Sequence, residues 1–261
     1  KRARGAQRLN VFVHLEPEEV LAQARVLDAK RQAGAPLGPL AGIPVAIKDV
    51  LCVEGEPTTC GSRMLHGFRP PYNATVIEKL KAAGAVLYGK ANMDEFAMGS
   101  STENSCYGPS LNPWDPTRIP GGSSGGSGAA VAAGTVFFAM GSDTGGSIRQ
   151  PAALTGICGL KPTYGVVSRY GMIAFASSLD QAGIMTQSAE DAALLLRHMA
   201  GFDARDSTSI DAPVPDYCAA LDGGLHGLRV GVPTSYFYDD IDPALGKLMR
   251  ESLDVFRSLG C

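Results

Sequence analysis

The chain has 261 residues, of which 45% are hydrophobic and 19% charged, a composition typical of a globular protein with a substantial buried core. Its formal net charge of -3 excludes a surface that grips nucleic acid phosphates by itself, and only the KRAR stretch at 1–4 is locally basic. No apolar run reaches the roughly 20 residues that span a bilayer, and no signal-peptide pattern stands at the start, so we expect a cytoplasmic or organellar-matrix protein without a membrane partner.

The first part of the chain alternates between helix and strand patterns. Residues 16–34 predict an amphipathic helix with acidic residues in its first turn, basic residues late and a glycine after its end. The segment GIPVAIKDV at 42–50 predicts a buried strand, with Lys48 where the apolar run stops. Residues 73–96 predict a helix that stops at Gly84, a short strand, and a second helix or turn. This order is typical of an α/β architecture.

Two glycine-serine turns flank one helix-strand unit in the middle of the chain. The first turn, GGSSGGSG at 121–128, follows an irregular stretch and runs into a small-residue helix at 127–134. A strand at 135–143 then leads into the second turn and a helix, TGGSIRQPAALTG at 144–156. Because the helix at 127–134 has no charged face, we expect it to be buried.

The remaining sequence continues the same pattern. It predicts strand and loop over 159–185, a capped amphipathic helix over 188–201, a buried strand over 228–233, and a helix over 242–261 that should lead into another strand. No linker divides the chain, so we expect a single domain over 1–261. The pattern predicts continuation past the last residue, so we also expect that a C-terminal part of this domain is missing.

The six cysteines and four histidines show no pattern of a disulfide scaffold or a metal site. The cysteines are scattered without a C-x-x-C pair, and the histidines lack any paired spacing. We expect free, buried thiols and no bound metal.

The run GGSSGGSG permits several interpretations. A tether is disfavoured by the prolines before the run and by the buried helix after it. A phosphate loop is disfavoured because no lysine follows Gly126 and Ser123 stands where G-x-G-x-x-G needs glycine. The pattern G-x-S-x-G fits twice, at Ser123 and Ser124, and would require a triad with His198 or His226. We interpret His198 as structural, because it lies on a helix that should face the core.

The second turn offers Ser147 as another nucleophile. The preceding residues 144–146 (Thr, Gly, Gly) would let successive backbone N–H groups converge on one point, as in an oxyanion hole. A serine nucleophile needs a base, and no histidine lies near it in sequence. Lys48 is the candidate base, because burial can remove the proton of a lysine. A solvated lysine at a strand end remains the alternative interpretation.

These segments carry a resemblance to a known family. GGSSGGSGAAVAAG through GSDTGGSIRQPA resembles the amidase signature, and GIPVAIKD resembles the segment that supplies the catalytic lysine of that family. The intervals of 75 residues from Lys48 to Ser123 and 24 residues from Ser123 to Ser147 match its Ser-Ser-Lys triad. The resemblance implies an amidase-signature fold, with a mostly parallel or mixed sheet flanked by helices on both faces.

The resemblance also implies a role for each residue. Ser147 would be the nucleophile, Ser123 a bridging serine on a cis peptide bond, and Lys48 the base. Asp49 and Asp143 would orient the site or cap turns, without transferring protons. The implied oxyanion hole comprises the N–H groups of Thr144, Gly145, Gly146 and Ser147. The implied substrate pocket comprises Met98, Gly99, Ser100, Ser101 and Gly122, and an ordinary turn remains the alternative interpretation of the loop at 98–101.

More specific segments at 92–105, 111–127, 168–183 and 205–209 are similar to the glutamine-hydrolysing members of tRNA-dependent amidotransferases, a branch of this family. This similarity implies that glutamine is hydrolysed through an acyl-enzyme and that ammonia passes to a B subunit, which holds and amidates Glu-tRNA(Gln), with a C subunit completing a heterotrimer. ATP and Mg²⁺ would be used by the partner, with no cofactor in this chain. The residues that bind the α-amino and α-carboxylate groups of glutamine would lie beyond Cys261. A stand-alone amidase and a non-catalytic interaction protein remain alternatives.

Overall fold

Residues 8–233 and 241–261 are described by the computed structural model of the protein. The chain separates into two units, Lys1–Pro215 and Asp216–Cys261. Each unit is described by itself, and the assignment of both to one domain stays a prediction.

The larger unit contains a six-stranded mixed sheet. Its strands are β1 (Phe12–His14), β2 (Pro44–Lys48), β3 (Val86–Ala91), β4 (Phe138–Asp143), β5 (Cys158–Leu160) and β6 (Gln181–Thr186). The spatial order is β1-β3-β2-β4-β6-β5. The central strand β2 pairs in parallel with β3 and β4, whereas β1, β5 and β6 join their neighbours in antiparallel fashion. The carboxyl ends of β2, β3 and β4 therefore lie at one edge of the sheet.

Helices cover this sheet. They are α1 (Pro17–Gln32), α2 (Thr75–Ala82), α3 (Gly125–Ala132), α4 (Arg149–Thr155) and α5 (Ala189–Met199). Residues of α3 and α4 share a core cluster with Ala46, Ala139 and Met185 of the sheet, whereas α5 contacts β5, β6 and α2. Every residue of β4 and β6 is buried, so both faces of these strands are covered. The predicted α/β class with a mixed, helix-flanked sheet is confirmed.

The helix ends lie close to where the sequence predicts them. Helix α1 begins at Pro17, with Glu18 and Glu19 in its first turn and basic residues in its last. Helix α5 begins after Ser188, whose hydroxyl oxygen accepts the N–H of Asp191 at 3.1 Å. The small-residue helix α3 buries seven of its eight residues, as its composition predicts.

A one-residue bulge interrupts the pairing of β2 with β3. The register shifts between Ala46 and Ile47, which leaves Gly89 of β3 without a partner on β2. Gly89 has φ +60°, and a Cβ at this position would lie 2.8 Å from an aromatic ring of β1, so only glycine fits without movement. Beyond the bulge, Lys90 pairs with Ile47 rather than with Lys48.

The smaller unit contains helix α6 (Pro243–Ser258), within the span predicted for a helix. The Asp242 side chain caps it by accepting the N–H groups of Ala244 and Leu245. The strand predicted over 228–233 is wrong, because these residues are exposed and join no ladder with any described residue. An apolar pattern becomes a strand only where a neighbouring strand supplies backbone partners.

Two further findings concern the whole described chain. No helix in the described ranges is long and apolar enough to cross a membrane. All six cysteines are free, as predicted, but only Cys52 and Cys60 are buried.

Candidate active site

The side chain of Lys48 lies at the carboxyl end of β2, inside the protein. It is 0% exposed, so the interpretation as a solvated lysine is wrong. Its Nζ lies 2.7 Å from Ser123 Oγ and 2.8 Å from Ser142 Oγ, within hydrogen-bond distance of both. The structure thus joins Lys48 and Ser123, which are 75 positions apart in the sequence.

Burial lowers the pKa of Lys48 from 10.5 to about 7, because removal from water disfavours the charged ammonium form. Acidic groups nearby oppose this shift, with Asp94 first, followed by Cys60, Asp143 and Asp180. A lysine with this pKa is substantially neutral near pH 7, so it can accept a proton as a base.

The run GGSSGGSG lies packed against neighbouring chain. The peptide bond between Gly122 and Ser123 is cis. A Cβ on Gly126 would lie 2.6 Å from backbone atoms of Asn92, and a Cβ on Gly125 would lie 2.2 Å from Thr102 Oγ1. The tether interpretation is therefore wrong, because the glycines permit close packing rather than flexibility.

Substitution of Gly122 by alanine is expected to destabilise the fold by about 1–3 kcal/mol. The added Cβ would lie 2.1 Å from Asp94 Oδ2 and 2.6 Å from the N atom of Ser101, so the buried loop must shift. Urea unfolding of the variant measures this loss. Gly145→Ala is the matched control, because a Cβ there meets no atom within 4 Å and stability should be unchanged. Equal stabilities of the two variants would contradict the tight packing at Gly122.

Asp143 shapes the second turn. Its carboxylate accepts the N–H of Gly146 at 2.8 Å and that of Ile148 at 3.1 Å. The Arg149 guanidinium binds both carboxylate oxygens, at 3.0 Å through Nε and 2.9 Å through Nη2. Burial alone would raise the pKa of Asp143, but the bonds from Arg149 and the backbone outweigh it and lower this pKa. Asp143 therefore caps this turn, as the sequence predicts, and its lowered pKa favours a negative charge there.

Thr144, at the start of the same turn, is held from the other side by Asp180. The Thr144 hydroxyl donates to Asp180 Oδ1 at 2.5 Å. The other contacts of Asp180 are the backbone N–H groups of Phe175 and Ala176, at 2.8–3.1 Å. This carboxylate thus fixes the loop at 175–176 beside the predicted oxyanion hole.

Asp49 follows Lys48 in sequence but contacts other groups. Its Oδ1 lies 3.2 Å from Nζ of Lys90, with both side chains fully buried. This contact is an ion pair without hydrogen-bond alignment, so Oδ1 lacks a hydrogen bond. Oδ2 accepts the N–H of Thr59 at 3.0 Å, and Lys90 Nζ donates to the carbonyl oxygen of Leu51 at 2.9 Å. The pair holds the segment after β2, in keeping with the orienting role predicted for Asp49.

A cavity of about 360 Å³ lies over the second turn. Ser147, 8% exposed, contributes to its wall, whereas Lys48 and Ser123 lie buried outside the lining. Met98 and Ser101, which the resemblance places in the substrate pocket, do not line it, and Met98 is 52% exposed. The lining residues are Ala97, Gly99, Ser100, Gly122, Thr144, Gly145, Gly146, Ser147, Gln150 and Phe175.

The amide of Gln150 connects two walls of this cavity. It lies 2.9 Å from the carbonyl oxygen of Gly122 and 3.0 Å from that of Ser100. Two carbonyl oxygens require donors, so the amide nitrogen faces them. With the amide reversed, the Gln150 side-chain oxygen would accept the Gly122 N–H at 3.3 Å, but the same oxygen would then lie against both carbonyl oxygens. Gln150 therefore ties the loop at Ser100 to the turn that carries Ser123.

Sequence reasoning missed four residues of this site. They are residues that only the folded chain brings next to the predicted ones: Ser142, Asp94, Gln150 and Asp180. Weak signals existed for all four, since each lies in a segment that carries the resemblance: Asp94 in 92–105, Ser142 and Gln150 in GSDTGGSIRQPA, and Asp180 in 168–183. Their partners are far apart in sequence, so spacing alone could not assign their contacts.

The histidine-based interpretation gains no support from the described geometry. The Ser123 hydroxyl contacts Lys48, and Ser124 Oγ lies 3.2 Å from the carbonyl oxygen of Ser142. His198 lies half-buried on α5, where desolvation and the neighbouring Arg197 lower its pKa.

A larger cavity of about 620 Å³ lies elsewhere, between α1 and residues 54–56. It contains none of the predicted site residues. Among the residues that the structure describes, no group of three or more His, Cys, Asp or Glu side chains could hold a metal ion.

The fold and the serine-lysine site define a member of the amidase family. The family model named Amidase matches residues 1–261, so the chain belongs to this family. Among curated relatives, it is 62% identical over 252 residues to the A subunit of glutamyl-tRNA(Gln) amidotransferase from Chloroflexus aurantiacus, and 61% identical to its counterpart from Methylococcus capsulatus. Each match covers 97% of this chain and 52% of the relative, so the chain spans about half the length of these relatives.

Solved structures agree with the family assignment. The A subunit of glutamyl-tRNA(Gln) amidotransferase from Thermotoga maritima has 51% sequence identity and a TM-score of 0.83, with 86% of this chain and 49% of that chain covered. The native peptide amidase from Stenotrophomonas maltophilia has 38% identity and a TM-score of 0.87, with 97% and 53% covered. The fold is thus shared by enzymes whose names indicate different amide substrates.

Proposed function

We propose that this chain carries the catalytic centre of the glutamine-hydrolysing subunit of a tRNA-dependent amidotransferase. The observation that carries the proposal is the buried contact of 2.7 Å between Lys48 Nζ and Ser123 Oγ, next to a cavity lined by Ser147. The names of relatives about 60% identical supply the substrate class.

In the proposed reaction, neutral Lys48 accepts the proton of Ser123, and Ser123 accepts that of Ser147. Ser147 Oγ forms a bond to the carboxamide carbon, while the carbonyl π electrons move to oxygen. The N–H groups of residues 144–147 would stabilise this oxyanion. When the C–N bond breaks, the proton held by Lys48 returns through Ser123 to the leaving nitrogen. Ammonia departs, and water then attacks the acyl-enzyme to release glutamate.

The proposed partners follow from the relatives rather than from contacts in this chain. The B and C subunits would complete a heterotrimer, and the B subunit would hold Glu-tRNA(Gln) and use ATP and Mg²⁺. The net charge of -3 is consistent with a chain that leaves tRNA binding mainly to its partner. Residues beyond Cys261 would grip the α-amino and α-carboxylate groups of glutamine.

Glutamine hydrolysis and tRNA amidation by the full-length protein, with and without co-purified B and C subunits, test this proposal. We expect glutamate and ammonia from glutamine, and glutamine-dependent conversion of Glu-tRNA(Gln) to Gln-tRNA(Gln) when ATP and the partners are present.

The same assays distinguish two other functions. A stand-alone amidase, which the similarity to a peptide amidase favours, would release ammonia from amides without partners and form no Gln-tRNA(Gln) with them. An interaction protein without catalysis would release no ammonia under either condition.

A further inference from the structure

Asp94 is a buried carboxylate that the proposed triad does not use. It is 0% exposed and precedes the short 3-10 turn Glu95–Ala97. Its Oδ2 accepts the N–H of Thr102 at 2.9 Å, and its Oδ1 accepts that of Asn104 at 3.3 Å. Among the described residues, no cation lies within ion-pair distance of it. A carboxylate removed from water is stabilised by its amide donors, and a positive charge nearby stabilises it further.

The position of Asp94 is fixed against the peptide that carries Ser123. The Asp94 N–H donates to the carbonyl oxygen of Ser123 at 3.2 Å. A Cβ on Gly122 would lie 2.1 Å from Asp94 Oδ2, and a Cβ on Gly99 would lie 2.4 Å from Asp94 Cγ. The carboxylate therefore packs closely between the loop at Gly99 and the turn that carries Ser123.

Of the other acidic groups near Lys48, Asp143 and Asp49 are paired with cations, whereas Asp180 and the Cys60 thiol have no ion pair among the described residues. Asp143 is paired with Arg149 through two hydrogen bonds. Asp49 forms its ion pair with Lys90. Asp180 accepts a hydroxyl and two backbone N–H groups beside the oxyanion turn, and the Cys60 thiol is buried, with its pKa raised by desolvation.

We propose that the Asp94 carboxylate is the counter-charge that stabilises the Lys48 ammonium group formed when the serine relay delivers its proton. This inference rests on the proposed function and makes Asp94 a positioning residue that acts through Lys48. Among the acidic groups around Lys48, Asp94 has the largest effect in raising the pKa of that lysine. An ammonium that forms and disappears during each turnover is favoured by a fixed charge held in place beforehand.

The test is the pH dependence of kcat/KM for glutamine hydrolysis by full-length Asp94→Asn protein. Loss of the carboxylate makes protonation of Lys48 less favourable. We therefore expect the midpoint of the rise of kcat/KM with pH to move to lower pH by about one unit. We also expect the plateau kcat to fall by about 3- to 10-fold, because the ammonium intermediate loses stabilisation.

Asp203→Asn is the matched control. Asp203 is also buried, but it binds Ser168 and Arg205, away from the serine turn. This variant should lose stability while the midpoint of the rise of its kcat/KM with pH stays at the wild-type pH. A midpoint that is unchanged or higher in Asp94→Asn overturns the proposal. If Asp94→Asn does not fold, ¹³C NMR of wild-type protein labelled at aspartate Cγ decides, because an Asp94 protonated at the pH of activity overturns the proposal and an ionised Asp94 supports it.

The same experiments separate this inference from the proposed function. If Lys48→Met and Ser147→Ala retain activity, the proposed triad is wrong. If both lose activity while the Asp94→Asn midpoint does not move, only the role of Asp94 is wrong.

Discussion

Replacing Ser147 by alanine in the full-length protein should lower kcat for amide hydrolysis by about 10⁴-fold or more, because the acyl-enzyme cannot form without the nucleophile. Ser147 contributes to the cavity wall, whereas Ser123 is fully buried, so only Ser147 offers its hydroxyl to a substrate in the described geometry. A serine-directed fluorophosphonate should modify Ser147 in the wild-type protein, as identified by peptide mass spectrometry. It should leave Ser147→Ala unmodified.

Ser127→Ala provides a matched control within the same class of small buried residues. The Ser127 hydroxyl donates to the carbonyl oxygen of Met140 at 2.8 Å and contacts no predicted catalytic group. Its loss should lower the free energy of unfolding by about 1 kcal/mol and leave the rate of labelling unchanged. Modification of Ser123 or Ser124 instead of Ser147 would contradict the assignment and favour the nucleophile elbow.

Lys48→Met should lower kcat/KM by about 10³-fold, because a side chain of similar length replaces the base without providing a proton acceptor. In the wild-type protein, kcat/KM should rise with pH around a midpoint of about 7, as Lys48 loses its proton. Glutamine hydrolysis measured over about pH 5–9 checks both expectations. A residual activity of Lys48→Met that keeps the wild-type midpoint would show that another group is the base.

The same variant has an expected effect on stability. The pKa of Lys48 is about 7 in the folded protein and 10.5 as an unperturbed group, so between these pH values the unfolded chain binds more protons. Stability of the wild type should therefore rise with pH across this window relative to Lys48→Met. Below about pH 7 the wild-type protein contains a buried ammonium group. The free energy of unfolding of the variant should therefore exceed that of the wild type by the largest amount there. Urea unfolding at several pH values measures this difference, with the exposed Lys30→Met as the control that should show none.

The local elements of the fold could be predicted because their signals are local. The helix cap at Ser188 and the acidic residues in the first turn of α1 depend only on neighbouring residues in the sequence. The prediction at 228–233 failed because strand formation depends on a partner elsewhere in the chain. The mixed character of the sheet also depends on long-range pairing, since β6 pairs antiparallel with β4 from about 40 residues away.

The candidate site was only partly predictable for the same reason. Glycine-serine turns and a lysine at a strand end show in the sequence, and the resemblance supplies their spacing. Gln150, by contrast, joins the carbonyl oxygens of Gly122 and Ser100, and nothing in its local sequence indicates those partners. Asp94 likewise gains its position from close contact with Gly99 and Gly122, which only the folded chain brings together.

The bulge at Gly89 has a consequence for how this sequence can vary in length. Lys48 and Lys90 are both fully buried, yet one contacts serines and the other contacts Asp49, because the extra residue pairs Lys90 with Ile47. Insertion of one residue between Gly89 and Lys90 would bring Lys90 opposite Lys48 on the same side of the sheet, since a slip of one residue reverses the face of every following side chain. Two buried ammonium groups would then repel each other, and Asp49 would lose its cation. Deletion of Gly89 instead closes the bulge and leaves Lys90 opposite Ile47, so a single-residue insertion here should be far less tolerated than this deletion.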